Sequence, residues 1–80
     1  MEDAELVRRI GDLVDQEHAL EKAHVGNAAS DDDIAKMRAL EVALDQCWDL
    51  LRQRQARRSA GLDPDDARVR DANTVEGYQQ

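Results

Sequence analysis

The residues best suited to chemistry in this chain are a glutamate and a histidine three positions apart. Glu21 and His24 form the Glu-x-x-His spacing that places a carboxylate and an imidazole on one helical face of di-iron bundles. Glu17 lies one turn earlier, which makes these three side chains the candidates for a metal site. The pattern also needs a facing carboxylate, but the register derived below places His24 opposite Asp33 or Ile34. We therefore keep metal binding as an alternative and interpret His24 as a cation beside aspartates at a helix end.

The single cysteine is the second candidate for chemistry. Cys47 next to His18 would give a thiolate and an imidazole, the arrangement of a cysteine nucleophile. The register instead places Cys47 near Ile10 and leaves His18 outside the packed seam, so a cysteine buried as a small apolar side chain is favoured. With no catalytic residue assigned, we expect a protein that is not an enzyme and has no cofactor or small-molecule substrate.

The basic residues cluster after position 51. Residues 1–51 carry 13 acidic and 5 basic side chains, whereas residues 52–70 carry 6 basic and 3 acidic ones. Nucleic-acid binding needs such a patch together with aromatic side chains or a recognition fold. The aromatic residues of this chain are only Trp48 and Tyr78. We therefore expect weak nucleic-acid contact at most, and an acidic protein is the better partner for this patch. The arginines taken as contact candidates are Arg54, Arg57 and Arg58.

Two heptad-spaced apolar stripes predict two amphipathic helices that cover each other. The first helix is predicted from about Asp3 to Val25, with Gly26-Asn27 at its C-cap, and the second from the N-cap Ser30 to about Ala60. A connection of about five residues makes them antiparallel. The stripes consist of Leu6, Ile10, Leu13 and Leu20 in the first helix and Met37, Leu40, Leu44, Cys47 and Leu51 in the second.

The antiparallel hairpin predicts which residues face each other. If it is symmetrical about its loop, the numbers of facing residues add to about 57, because a step up one helix is a step down the other. Leu13 then meets Leu44, and Glu17 lies beside Glu41 as the poorest match of the series.

Some apolar side chains flank the predicted seam. Val7, Val14, Trp48 and Leu50 lie beside it, so apolar surface is left after the two helices have met. A second copy of the hairpin, the tail of the chain or another protein can cover this surface. A tryptophan beside a packing seam usually belongs to the core, whereas on a surface left for a partner Trp48 and Leu50 are candidates for an interaction hot spot.

The C-terminal part of the chain has a different pattern. Asp63-Pro64 predicts one further helical turn that ends near Arg70. Residues 71–80 contain few large apolar groups, which is typical of a weakly docked strap or a disordered end. The sequence therefore divides into a helical hairpin, residues 1–61, and a C-terminal turn and extended tail, residues 62–80, docked or partly disordered.

Composition supports a small all-α protein. The chain has 80 residues, of which 41% are apolar and 36% charged, and its net charge is −7. Such a chain buries only a modest core unless its helices pack regularly or chains associate. No signal peptide or membrane-spanning apolar run is evident, so we expect a cytoplasmic protein without membrane contact.

Three segments resemble a family of short bacterial proteins, common in actinobacteria and known only as a domain of unknown function. They run from Leu44 to Arg54 around Cys47-Trp48, from Gly61 to Pro64 and from Val75 to Tyr78. The resemblance covers nearly the whole chain. It implies a small stand-alone cytoplasmic protein and supplies no activity, ligand or catalytic residue.

These observations predict an all-α, coiled-coil-like antiparallel two-helix hairpin that acts as a non-enzymatic protein-interaction or regulatory module. Its expected partner is another protein or a second copy in a homodimer. The alternatives are a metal-binding bundle through Glu17, Glu21 and His24, and weak nucleic-acid contact through the arginines. The residues expected to make the contact are Trp48, Leu50, Arg54, Arg57 and Arg58.

Overall fold

The structure is a computed structural model that describes residues 2–24 and 30–77. These residues contain two long helices and one short helix. No strand occurs within these residues, so the predicted all-α class is confirmed. The elements in chain order are α1 (Asp3–Ala23), α2 (Asp31–Ser59), a 3-10 turn (Pro64–Asp66) and α3 (Ala72–Gly77).

Local chemistry determines where α2 begins and ends. The Oγ of Ser30 accepts a hydrogen bond from the Asp33 amide at 3.2 Å, and the Asp33 carboxylate accepts one from the Ser30 amide at 3.4 Å. At the other end Gly61 has a φ of 76°, and the amide of Leu62 donates to the Arg57 carbonyl at 2.8 Å. This is the Schellman arrangement, which satisfies carbonyls that the helix leaves unpaired. Both ends of α2 agree with the sequence prediction.

The two long helices run antiparallel in the predicted register. His24, just after α1, pairs with Asp33 in the first turn of α2, with 2.7 Å between Nε2 and Oδ2. At the far end of the hairpin Arg54 pairs with Asp3, with 2.6 Å between Nε and Oδ1. In each pair the two residue numbers add to 57, the sum predicted for a hairpin that is symmetrical about its loop.

The core lies in the half of the hairpin that is far from the connection between α1 and α2. Its members come from both long helices and are Leu6, Ile10, Leu13, Cys47, Leu50 and Leu51. Toward the connection Leu20, Met37 and Leu40 are only half-buried, and Ile34 is 55% exposed. Stabilisation by apolar burial is therefore concentrated in one half of the hairpin.

The chain after α2 turns back along one side of that helix. The side-chain amide of Gln46 donates to the Arg70 carbonyl at 3.3 Å, and that of Gln53 donates to the Arg68 carbonyl at 2.7 Å. Val75 of α3 is only 2% exposed. The described part of the tail is therefore docked on α2 by hydrogen bonds from glutamine side chains to its carbonyls and by one buried valine. The tail was predicted to be extended, but Ala72–Gly77 form a helix.

Some sequence predictions differ from the structure or fall outside its described part. The turn that starts at Asp63-Pro64 ends at Asp66 instead of near Arg70, because Ala67 adopts an extended conformation with a ψ of 144°. The predicted C-cap at Gly26-Asn27 and the side chain of Tyr78 lie outside the described residues. The division of the chain at residue 61 stays a prediction.

Candidate interaction surface

His24 connects the end of α1 to the start of α2. Its Nδ1 lies 2.6 Å from the Leu20 carbonyl oxygen, and its Nε2 lies 2.7 Å from Oδ2 of Asp33. Because a carbonyl and a carboxylate only accept hydrogen bonds, both contacts need a protonated ring nitrogen, and only the imidazolium has two. The hydrogen bond to Asp33, followed by that to Leu20, raises the pKa of His24 above its ordinary 6.5. The predicted position of His24 at the end of α1 beside the aspartates is confirmed.

Ser30, Asp33 and His24 lie together, but their order does not suit nucleophilic catalysis. A nucleophilic serine needs its hydroxyl bonded to the imidazole that takes its proton. Here the Ser30 hydroxyl donates to Oδ2 of Asp33 at 2.8 Å, and His24 binds the same oxygen. The three residues therefore form a helix cap and a link between helices.

The metal alternative depends on Glu17, Glu21 and His24. Both ring nitrogens of His24 are already engaged by the acceptors described above. Within residues 2–24 and 30–77, no group of three histidine, cysteine, aspartate or glutamate side chains is placed to hold a metal ion. This part of the chain therefore offers no observation that favours metal binding.

Cys47 lies inside the core. It is 8% exposed and belongs to the same apolar cluster as Ile10, while His18 is exposed on α1. Cys47 therefore packs as a small apolar side chain, as predicted.

Arg54 is a buried cation that joins three parts of the fold. It is 5% exposed, and its Nε lies 2.6 Å from Asp3 on α1. Its Nη1 donates to the Asp65 carboxylate at 3.0 Å and to the Pro64 carbonyl at 3.2 Å in the 3-10 turn. The hydrogen bond from Arg54 is the main reason why the pKa of Asp3 lies below its ordinary value. The guanidinium of Arg54 therefore stabilises the fold through contacts within the chain.

The neighbouring arginines also have partners within the chain. Arg57 donates to the Asp63 carbonyl at 2.7 Å and lies 3.6 Å from the Asp66 carboxylate. Arg58 lies 3.0 Å from the second carboxylate oxygen of Asp3. The positive charge predicted to attract a partner is thus largely balanced by aspartates of the same chain, which disfavours nucleic-acid contact.

Trp48 lies beside the seam between α1 and α2 and is 45% exposed. It borders a shallow concavity of about 220 Å³ that it shares with Glu17, Glu41, Leu44 and Asp45. The prediction that Glu17 lies beside Glu41 is confirmed. No described residue beyond α2 lines this concavity.

Two valines of α1 extend this surface. Val14 lies one helical turn before Glu17, and Val7 lies two turns before Val14, so both share the side of α1 that borders the concavity. Val7 is 58% exposed. Arg52 follows Trp48 by one turn on α2. We call this surface the Trp48 face; its residues are Val7, Val14, Glu17, Glu41, Leu44, Asp45, Trp48 and Arg52.

A second groove lies on the opposite side of the seam, near the connection between the helices. It has a volume of about 460 Å³, and the described residues that line it are Lys36, Gln16, Ala19, Leu20, Ala39 and Leu40, of which only Lys36 is charged. Leu20 and Leu40 of this groove are half-buried, and Ala19 and Ala39 are exposed. Ala39 of this groove provides a comparison position for Trp48.

None of the described helices is both long enough and apolar enough to cross a membrane.

A protein family described as "Protein of unknown function (DUF2630)" matches residues 2–80. The chain belongs to this family. It is 47% identical over 77 residues to the uncharacterized proteins Mb0922c of Mycobacterium bovis and Rv0898c of Mycobacterium tuberculosis, which covers 95% of this chain and 88% of each relative. These mycobacterial relatives confirm the actinobacterial resemblance predicted from the sequence. No solved structure matches the chain.

The contact candidates in this member of the DUF2630 family occupy different environments. Trp48 and Arg58 are both exposed and Arg57 is half-buried, but the two arginines are paired as described above. Leu50 is 6% exposed in the core, and Arg54 is buried with its aspartates. We therefore retain Trp48 as the main contact candidate and set Leu50 and Arg54 aside, because a buried side chain offers no surface to a partner.

Sequence reasoning did not single out Asp49, which is 4% exposed. Its carboxylate accepts a hydrogen bond from Gln53 at 2.9 Å and lies 3.4 Å from Nε of Arg70. In the hairpin alone Asp49 faces away from the seam, and it becomes buried because the C-terminal segment crosses it. The only local signal is Val75, a large apolar residue in an otherwise polar tail.

Proposed function

We propose that this protein is a non-catalytic interaction or regulatory module that acts in the cytoplasm and binds a protein through the Trp48 face. The observation that carries the proposal is the exposure of Trp48, 45%, beside Val7 with 58%. Tryptophan is enriched among the residues that dominate binding energy in protein interfaces, and its exposure on an isolated small protein is unfavourable.

The shape of the face also supports a protein partner. The concavity beside Trp48 is shallow, and its lining combines the indole and Leu44 with three carboxylates. A small-molecule site is usually a deep, mostly apolar cleft with a few convergent polar groups. A broad apolar patch with charged residues at its edge is instead the arrangement of a protein interface.

A photo-crosslinking experiment tests this proposal in the native cell. A benzoyl-phenylalanine replaces Trp48 in one variant and Ala39, on the opposite groove, in a control variant. We expect crosslinks to protein from position 48 and few from position 39, with the products identified by mass spectrometry. Equal crosslinking from both positions, or none from position 48, would contradict the proposal.

A further inference from the structure

The protein exposes more surface than its mass predicts. Its principal extents are 50 × 25 × 16 Å, and its radius of gyration is 14.9 Å, against about 11.6 Å for a compact chain of this length. Its accessible surface of 5650 Å² exceeds the roughly 4,800 Å² expected of a folded monomer of this mass. This elongated shape leaves helix surface that a second chain can cover.

The charges on the Trp48 face are separated along the hairpin. Glu17, Glu41 and Asp45 lie on the side of Trp48 nearer to the connection between the helices, and Arg52 lies on the other side. Among the described residues, none of these four has an ion-pair partner. Arg38, one heptad before Asp45 on the same side of α2, also lies toward the connection. The end of the face nearer to the connection is therefore acidic in net charge, with three carboxylates and one arginine, and the end beyond Trp48 is basic.

The spacing on α2 makes this separation nearly symmetrical about Trp48. Asp45 lies three residues before Trp48 and Arg52 four residues after it. At a rise of 1.5 Å per residue, Asp45 and Arg52 are about 10 Å apart with the indole midway between them. A two-fold axis at the level of Trp48 thus brings each Asp45 to the level of Arg52 in a second copy.

The direction of pairing follows from the same charges. In a parallel arrangement the connections between α1 and α2 of both copies lie at the same end. Glu17 of one copy would then approach Glu41 of the other, because these residues share one concavity at the same level of the hairpin. Like charges in a contact are repulsive and suppress that arrangement. The antiparallel arrangement instead places the acidic end of each copy on the basic end of the other.

The geometry points to an antiparallel two-fold dimer, in which the Trp48 face of one chain binds the Trp48 face of a second copy. The two indoles meet at the axis, the valines extend the apolar centre, and Asp45 and Arg52 form reciprocal ion pairs at the edge. This inference rests on the proposed function and names the partner. Two hairpins joined in this way form a four-helix bundle.

Sedimentation equilibrium of the purified full chain tests whether the dimer forms. The chain has a mass of 9.0 kDa, and we expect a species of twice that mass as concentration rises. Trp48→Ala should weaken the dimer, whereas Ala39→Arg, on the opposite groove, should leave it unchanged. A 9.0 kDa species at all concentrations up to about 1 mM would overturn the inference.

Charge reversal tests the antiparallel register without altering the core, because Arg52 is exposed and Asp45 is half-buried. Asp45→Arg and Arg52→Asp should each weaken the homodimer roughly tenfold, since each places like charges at both edges. Circular dichroism establishes that each variant is folded. An equal mixture of the two variants should form a heterodimer, because both edges are then oppositely charged. Single reversals that dimerise like the parent, or a mixture that gains no dimer, would overturn this register.

The two proposals fail in different ways. Crosslinks from position 48 to a different protein, together with a monomeric purified chain, would support the interaction module and overturn the dimer. Crosslinks from position 48 to the same chain would support both. An absence of crosslinks from position 48 together with a monomeric purified chain would overturn both.

Discussion

Arg54 and Asp3 are 51 residues apart in the chain, yet the Nε of Arg54 lies 2.6 Å from Oδ1 of Asp3. This contact joins the start of α1 to the last third of α2, and the same guanidinium binds the 3-10 turn through the Pro64 carbonyl. A single buried cation thus holds three segments together at one end of the hairpin.

Replacement of Arg54 tests this role. Arg54→Ala removes the donor to Oδ1 of Asp3 and the donor to the Pro64 carbonyl, and unpaired polar groups in a partly buried site are costly. We expect a clear fall in Tm and in the urea midpoint of unfolding. Arg58→Ala is the control, because Arg58 is about half exposed and pairs with Asp3 from the surface, and it should cause the smaller loss. Equal losses would indicate that the buried position of Arg54 has no special role.

The His24–Asp33 pair predicts how stability depends on pH. The pKa of His24 is raised above 6.5, so its contribution is present in full below pH 6.5 and is lost as pH rises through the raised value. The pKa of Asp33 is lowered below 3.8, chiefly by His24, so its contribution is present above pH 3.8 and is lost as pH falls through the lowered value. The pair therefore stabilises the hairpin most between these two transitions.

Urea unfolding of the parent and of His24→Ala, measured between about pH 5 and pH 9, checks this dependence. The advantage of the parent should be largest at the acidic end of that range and should shrink as His24 loses its proton. His18→Ala serves as the control, because His18 is exposed on α1. A constant difference between the parent and His24→Ala across the range would contradict the prediction.

Val75 and Val69 provide a matched pair for the C-terminal segment. Val75 is 2% exposed, whereas Val69 is 61% exposed. Val75→Ala should lower the free energy of unfolding by about 1.5–3 kcal/mol, since it removes two buried methyl groups and leaves a void. Val69→Ala should change it by less than about 0.5 kcal/mol. Equal effects in chemical denaturation would mean that α3 does not dock on α2.

Alanine substitutions at Gly61 and at Gly11 are expected to change the free energy of unfolding in opposite directions. Neither has an atom within 4 Å of an added Cβ, so backbone conformation alone decides the outcome. Gly61 has a φ of 76°, and Gly61→Ala should destabilise the protein by about 1 kcal/mol. Gly11 lies within α1, and Gly11→Ala should stabilise it by about 0.5–1 kcal/mol. A shift of the same sign in both thermal melts would contradict the assigned backbone conformations.

The helix ends and the register were accessible from the sequence because they depend on local chemistry and on a periodic pattern. Ser30 caps α2 with its own hydroxyl, and Gly61 ends α2 by adopting a left-handed conformation. The heptad pattern places His24 opposite Asp33, because in an antiparallel pair of helices the numbers of facing residues have a constant sum.

The sequence by itself determined an all-α hairpin and its register, but it left open whether Trp48 joins the core, and the tertiary structure leaves that side chain 45% exposed. Only the tertiary structure decided that Leu50, Asp49 and Arg54 are buried, because that depends on which side of α2 the chain after Gly61 returns along. Hydrogen bonds from glutamine side chains to backbone carbonyls and one buried valine set that path, and neither leaves a periodic pattern. The Trp48 face is open because the C-terminal segment covers the other side of the hairpin.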